Sequence, residues 1–197
     1  TNPNLDAPMF NGGPLASLLS AKLLAGSPAI DAGDDAVCAA EPVANVDQRG
    51  EARGVDGDEA PGGACDMGAV ESAAAVAGFG SDPVAPGPIS LGSAVAGQGS
   101  TSATISVFET GNRTLSLSEP QLGGPNAAEF GFSGLPATIA NGGAAQTVTV
   151  TCAPAAVGAR TAILTFSTND PDAPTVSFSL LCVGTAQPAP GFGSDPQ

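Results

Sequence analysis

The hexapeptide GFGSDP stands twice in this 197-residue chain, at 78–83 and at 191–196. Both copies lie in Pro/Gly/Ala-rich surroundings, VAGFGSDPVAPGP and QPAPGFGSDPQ. Identity over six residues at an offset of 113 marks a repeat boundary, against the alternative of coincidence in a low-complexity sequence. A period of roughly 100 residues bounded by such linkers is what tandem sandwich domains produce. The expected organisation is a first region over 1–76, a linker over 77–88, a β-sandwich over 89–185, and 186–197 as a linker to a next repeat. Since the chain opens in mid-pattern and closes in a linker, it is expected to be part of a longer protein.

Within the second region, apolar and polar residues alternate with period two in one short segment after another. The expected strands are 89–95, 101–109, 114–118, 129–132, 146–152, 160–167 and 175–183. Turn signals separate them, among them Thr110-Gly111-Asn112, Asn141-Gly142-Gly143 and Asn169-Asp170-Pro171-Asp172. Seven strands in about 100 residues is the count of an immunoglobulin-type sandwich. Strand parity places Val148, Val150 and Cys152 on one inward face and Val176, Phe178, Leu180 and Cys182 on another, with Ala162, Leu164 and Phe166 inward between them. Thr147, Thr149, Thr151, Ser177 and Ser179 take the solvated faces. With no Trp, the core is expected to lean on Phe108, Phe130, Phe132, Phe166 and Phe178.

The stretches TVTVTCAP and GARTAILTFSTNDPDAPTVSFSLLCVG, preceded by ETGNRTLSLS and AAEFGFSG, resemble the bacterial immunoglobulin-like repeats called choice-of-anchor D. These are related to the ASPM/SPD-2/Hydin-type sandwiches of ciliary and centrosomal proteins. The resemblance covers essentially all of 84–187. It implies a structural, non-catalytic repeat of a large secreted or surface protein.

The first region has a different character. It carries 12 of the 19 acidic residues and only three basic ones. An apolar segment over 15–24 suits one amphipathic helix or turn. After it come GSPAIDAGD at 26–34, VDQRGEARGVDGDE at 46–59 and CDMGAVE at 65–71. This series resembles the choice-of-anchor Q region, matching at Leu24, Ser27, Pro28, Ala29, Ile30, Asp31, Gly33, Asp47, Arg49, Gly50, Arg53, Asp66, Gly68, Ala69 and Glu71. The resemblance implies a loop-rich cap at the C-terminal end of a right-handed parallel β-helix. A solenoid's last coil exposes a sheet edge and an apolar end, and both need covering. Arg49 and Arg53 stand almost alone among the acids, so each is expected to clamp a buried or half-buried carboxylate drawn from Asp31, Asp47 and Asp66. The planar guanidinium fork grips a carboxylate at two points. A catalytic reading would make two of those aspartates a glycosidase acid/base pair. Asp56, Asp58 and Glu59 offer hard oxygen ligands to calcium on a Gly-flanked turn, although the EF-hand loop is absent. The alternative there is a solvated acidic turn.

Composition narrows the chemistry. There is no His, Tyr or Trp, which excludes Ser-His-Asp and Cys-His catalysis and His-ligated metals. Direct sugar binding is not expected without Trp or Tyr to stack on. A net charge of -14, with five cations in all, argues against nucleic acid and anionic membranes as partners. Leu, Ile, Val and Phe make up 41 residues, so the core is modest. Cys38, Cys65, Cys152 and Cys182 fall one pair to each half, without CxxC spacing. Disulfides Cys38–Cys65 and Cys152–Cys182 in an oxidising compartment are expected, the alternative being four reduced, buried thiols.

The fold expected is mainly β: a loop-rich C-terminal cap of a truncated parallel β-helix, then a seven-stranded immunoglobulin-like sandwich. The function expected is a structural, non-catalytic segment of a large bacterial cell-surface or secreted protein, linking a β-helix to a tandem array in adhesion or display. No cofactor is expected. The partners expected are neighbouring domains of the same chain and a cell-surface or matrix ligand, without direct membrane contact. Two other readings are an accessory part of a β-helix carbohydrate-active enzyme whose active site lies upstream, and a cytoplasmic scaffold.

Overall fold

The computed structural model describes residues 2–13, 19–24, 26–58, 60 and 62–188. The 15–18 part of the expected helix, the calcium candidate Glu59 and the second hexapeptide copy lie outside them. The chain divides into two compact units, Thr1–Val76 with Gly111–Arg113, and Ala77–Thr110 with Thr114–Gln197.

The second unit is a β-sandwich of two sheets. Its strands are β1 (Phe79–Asp82), β2 (Ile89–Val95), β3 (Thr101–Glu109), β4 (Leu115–Gly123), β5 (Phe130–Ser133), β6 (Thr138–Ile139), β7 (Gln146–Cys152), β8 (Gly158–Thr168) and β9 (Thr175–Thr185). One sheet has the order β1-β3-β7-β5, the other β2-β9-β8-β4-β6. All pairs are antiparallel except the edge strand β2, which runs parallel to β9.

Alternation builds this core. Val148, Val150 and Cys152 of β7 face Val176, Phe178, Leu180 and Cys182 of β9 across the sandwich, with Ala162, Leu164 and Phe166 of β8. All ten are buried. The Cys152–Cys182 disulfide joins β7 to β9, so it ties one sheet to the other through the core.

Among the described residues nine strands form where seven were expected. The extra ones are the two-residue β6 and β1, which falls in the stretch expected to be a linker. Residues 78–83 are not free linker: β1 pairs with β3 at the sheet edge, from Phe79 opposite Glu109 to Asp82 opposite Ser106. Phe79 stacks edge-on against Phe166 with ring centroids 5.7 Å apart. A Cβ on Gly80 would run into the Phe108 ring and the Thr110 methyl, so a larger residue there would have to push both aside. Phe108 accordingly covers β1 from the outer face, not from the core; Ile105 and Val107 of the same strand hold the inward positions.

The NDPD turn fastens this arrangement. Buried Asp170 accepts the Phe79 amide at 2.7 Å and the Asp172 amide at 2.8 Å. Asn169 accepts the Ser116 amide at 2.8 Å and donates to the Thr114 carbonyl at 3.0 Å, which secures the start of β4. Because Phe79 is half-buried against Phe166, Phe79→Ala is expected to destabilise the sandwich by about 2 kcal/mol. Thermal denaturation of the chain measures this, and an unchanged sandwich transition would return 78–83 to the status of a linker.

The first unit is loop-rich. Its regular structure among the described residues is one helical turn, α1 (Asp35–Ala39), and three isolated antiparallel bridges, Leu5 with Leu23, Met9 with Ser20 and Val46 with Ala52. Residues 19–24 are thus extended, not helical as expected: Ser20 and Leu23 pair across to Met9 and Leu5. Asp34 caps α1, accepting the Ala36 and Val37 amides. Cys38 on that helix is bridged to Cys65. Among the described residues its apolar cluster is small, made of Leu23, Ala29 and Ile30.

Candidate functional site

With so little apolar core, the first unit is held by carboxylates aimed at its own backbone. Loops leave amide protons without ladder partners, and buried amides need acceptors. Asp47, Asp66 and Glu71 are buried and supply them.

Asp47 Oδ1 accepts the amides of Arg49 at 2.7 Å and Glu51 at 3.1 Å. Its Oδ2 accepts the Glu71 amide at 3.0 Å and the Arg49 Nε at 2.8 Å, with Arg49 Nη2 at 2.7 Å. The expected Arg49 clamp therefore forms, on Asp47. The fork closes on a single oxygen because the other is already taken by amides. Arg49 Nη2 also donates to the Glu71 carbonyl at 2.8 Å. Burial by itself would raise the Asp47 carboxyl, but the Arg49 guanidinium and the Glu71, Glu51 and Arg49 amides outweigh it and hold it below the ordinary aspartate value.

Arg53 differs from expectation. Its ionic partner is Glu71, at 3.4 Å, and not Asp31, Asp47 or Asp66. The rest of its fork donates to carbonyls: Nη1 to Asp66 at 3.0 Å, Nη2 to Gly68 at 2.6 Å and Nε to Val46 at 3.1 Å. Glu71 Oε1 accepts the Gly54 and Val55 amides at 2.7 and 3.0 Å, and Oε2 accepts the Asp66 amide at 3.0 Å. One carboxylate thus draws two backbone segments, 54–55 and 66, onto its own. The Asp66 carboxylate carries no arginine; it accepts the Asp31 amide at 2.8 Å and the Ser72 amide at 2.6 Å.

Asp31 lies in a second arrangement. Its Oδ2 accepts the Gly57 and Asp58 amides at 3.0 and 3.1 Å. That draws the VDGDE turn onto it, so that oxygens of Asp31, Asp56 and Asp58 lie within 4.8 Å of one another. Of the calcium candidates, Asp56 and Asp58 are brought together and Asp31 joins them. Burial pushes the Asp31 carboxyl above its ordinary value; the charges of Asp58, Asp66 and Asp56 push the same way, against the Gly57 amide.

The cysteine pairing stands as expected, with no free cysteine among the described residues. A Cβ on Gly33 would strike the Cys65 carbonyl and sulfur, which accounts for glycine there. The two disulfides point to an oxidising, extracellular or secreted environment. No helix among the described residues is long and apolar enough to cross a membrane.

No protein-family model matches the chain, and no curated protein matches it. Among solved structures, it is similar to a protein of unknown function from Porphyromonas gingivalis W83, at 14% identity and TM-score 0.46, over 64% of this chain and 60% of that one. This chain therefore spans less than two thirds of that protein. It is also similar to the ASH/PapD-like domain 7 of human CEP192, at 15% identity and TM-score 0.39, over 51% of this chain and 82% of that domain. A third similarity is to the secreted serine protease VesC from Vibrio cholerae, at 14% identity and TM-score 0.37, over 48% of this chain and 21% of that one.

Proposed function

We propose that this chain is a structural, non-catalytic segment of a large bacterial cell-surface or secreted protein. In this reading the first unit closes the C-terminal end of a parallel β-helix. The second is an immunoglobulin-like repeat of a tandem array, and the whole serves adhesion or display. The observation that carries the reading is where the buried charges of the first unit are spent. Asp47, Asp66, Glu71, Arg49 and Arg53 direct their hydrogen bonds to backbone amides and carbonyls of their own loops and to one another. A general acid or nucleophile needs an oxygen held ready for substrate, whereas these are committed to keeping a loop-rich segment in one shape. A cap needs that property, because it must cover an apolar end without much core of its own.

Arg49→Ala tests the clamp. It leaves the buried Asp47 carboxylate without its cation and is expected to lower the stability of the first unit by about 2 kcal/mol at pH 7, discounted for the partial exposure of Arg49. Asp47 is held below its unfolded pKa, so its contribution is present above about pH 4 and fades as pH falls through the lower folded value. The variant should therefore lose less than the parent on acidification below pH 4. Equal melting of the two proteins at pH 7 would remove the clamp and the argument resting on it.

A further inference from the structure

We propose that the second GFGSDP copy, 191–196, is the first strand of another sandwich of this kind and not a connector, and that the slot holding β1 is the kind of site that receives it. The copy lies outside the described residues, so the inference starts from what its twin does. Four of the twin's six residues are read by their surroundings. The Phe79 ring lies edge-on against Phe166, and the Phe79 amide donates to buried Asp170 at 2.7 Å. The Gly78 amide donates to Glu109 Oε1 at 3.2 Å. A Cβ on Gly80 would meet the Phe108 ring and the Thr110 methyl. Ser81 is buried, and its hydroxyl accepts the Ala85 amide at 3.2 Å.

The extent of the identity is a second, separate observation. β1 runs from Phe79 to Asp82, and the two copies agree over that strand and one residue on each side of it. Beyond those bounds they part at once: Pro190 stands where the first copy has Ala77, and Gln197 where it has Val84. A connector has no use for a buried serine, a ring with a dedicated partner or a glycine beneath an aromatic, and its sequence is free to drift. Six residues that fill a shaped slot are not. Little connector is left besides. β9 ends at Thr185, and Gln187 is still tied to the sandwich by the Gln98 amide at 2.6 Å. Only Pro188, Ala189 and Pro190 separate Gln187 from the second copy. The next repeat as natural host rests on the tandem-array reading; the fit of this sequence to this slot does not.

A second copy of the chain supplies the slot in which to test this. In the parent, the covalently attached β1 competes at an effective concentration in the millimolar range, so chains at about 0.1 mM stay unexchanged. Phe79→Ala weakens the attached strand about thirtyfold and leaves 191–196 intact. In sedimentation equilibrium the Phe79→Ala chain is therefore expected to self-associate with an apparent Kd on the order of 0.1 mM, the 191–196 strand of one copy seated in the slot of another. Phe79→Ala/Phe192→Ala should associate at least tenfold more weakly. A synthetic peptide of residues 189–197 should compete with the association and raise the melting temperature of Phe79→Ala, while the same peptide with Phe192→Ala should do neither. If the alanine chain does not fold, Phe79→Leu takes its place, with a smaller change in the same order. A Phe79→Ala chain that stays monomeric and gains nothing from the peptide, or an association that survives Phe192→Ala, would overturn the proposal. Either result returns 191–196 to a connector and leaves the sandwich and the tandem-array reading as they stand.

Discussion

Glu71→Ala is expected to destabilise the first unit by about 4 kcal/mol, enough to leave it largely unfolded at room temperature if its stability lies at the low end for small domains. The side chain of Glu71 is 1% exposed and that of Arg53 is 8% exposed. Truncation removes the acceptor of the Gly54, Val55 and Asp66 amides and strands a buried guanidinium. An orphaned buried amide costs about 1–3 kcal/mol, and a buried ion pair broken on one side about 3–5 kcal/mol. These overlap, which is why the total is set near 4. Glu71→Gln keeps one oxygen but places an amide group toward donors, so an intermediate loss is expected. Amide hydrogen exchange reads the effect locally: protection at Gly54, Val55 and Asp66 should vanish in the alanine variant before protection in the sandwich changes. If Glu71→Ala melts like the parent, the carboxylate lattice is not what holds this unit.

Glu71 also marks the limit of what could be read from the residues alone. Arg49 and Asp47 are two positions apart, so their pairing is local and visible in the chain. Arg53 and Glu71 are 18 apart, and their meeting depends on a loop path that no periodicity encodes. Likewise Asp31 reaches Asp56 and Asp58 only because its carboxylate accepts amides 26 and 27 residues away. In the sandwich the reverse holds. Alternation is a local signal, and β2, β3 and β7 run over the residues that it marks. It failed for β1, where glycines on both sides of Phe79 hide the alternation that Phe79 and Ser81 follow, and for β6, too short to show a period. Phe108, expected among the core aromatics for want of a Trp, stands outside that core. Its parity with Ile105 and Val107 already placed it on the opposite face, where it covers Gly80.

Removing the inter-sheet disulfide with Cys152→Ala/Cys182→Ala is expected to lower the sandwich's stability by about 3.6 kcal/mol, a fall in melting temperature of roughly 15 °C for a unit of this size. The loop closed by the bridge spans 30 residues, and opening it restores that freedom to the unfolded chain. Both cysteines are fully buried, so the alanines also leave a small void between the sheets, which adds to the loss. The sandwich should nevertheless remain folded, because Phe166, Phe178, Leu164, Leu180, Val148 and Val150 close the core around the bridge. The comparable bridge of the first unit, Cys38–Cys65, closes 27 residues and has nearly the same entropic value. There it supplements, among the described residues, three clustered apolar residues in place of nineteen, so the same loss removes a larger share of what holds the unit. Reduction under mild denaturant should therefore open the first unit before the sandwich, as read by amide protection at Cys65 and Asp66 against Val148 and Leu164. Simultaneous opening would mean that the carboxylate lattice contributes more than the disulfide, and would transfer the weight of the argument to Glu71.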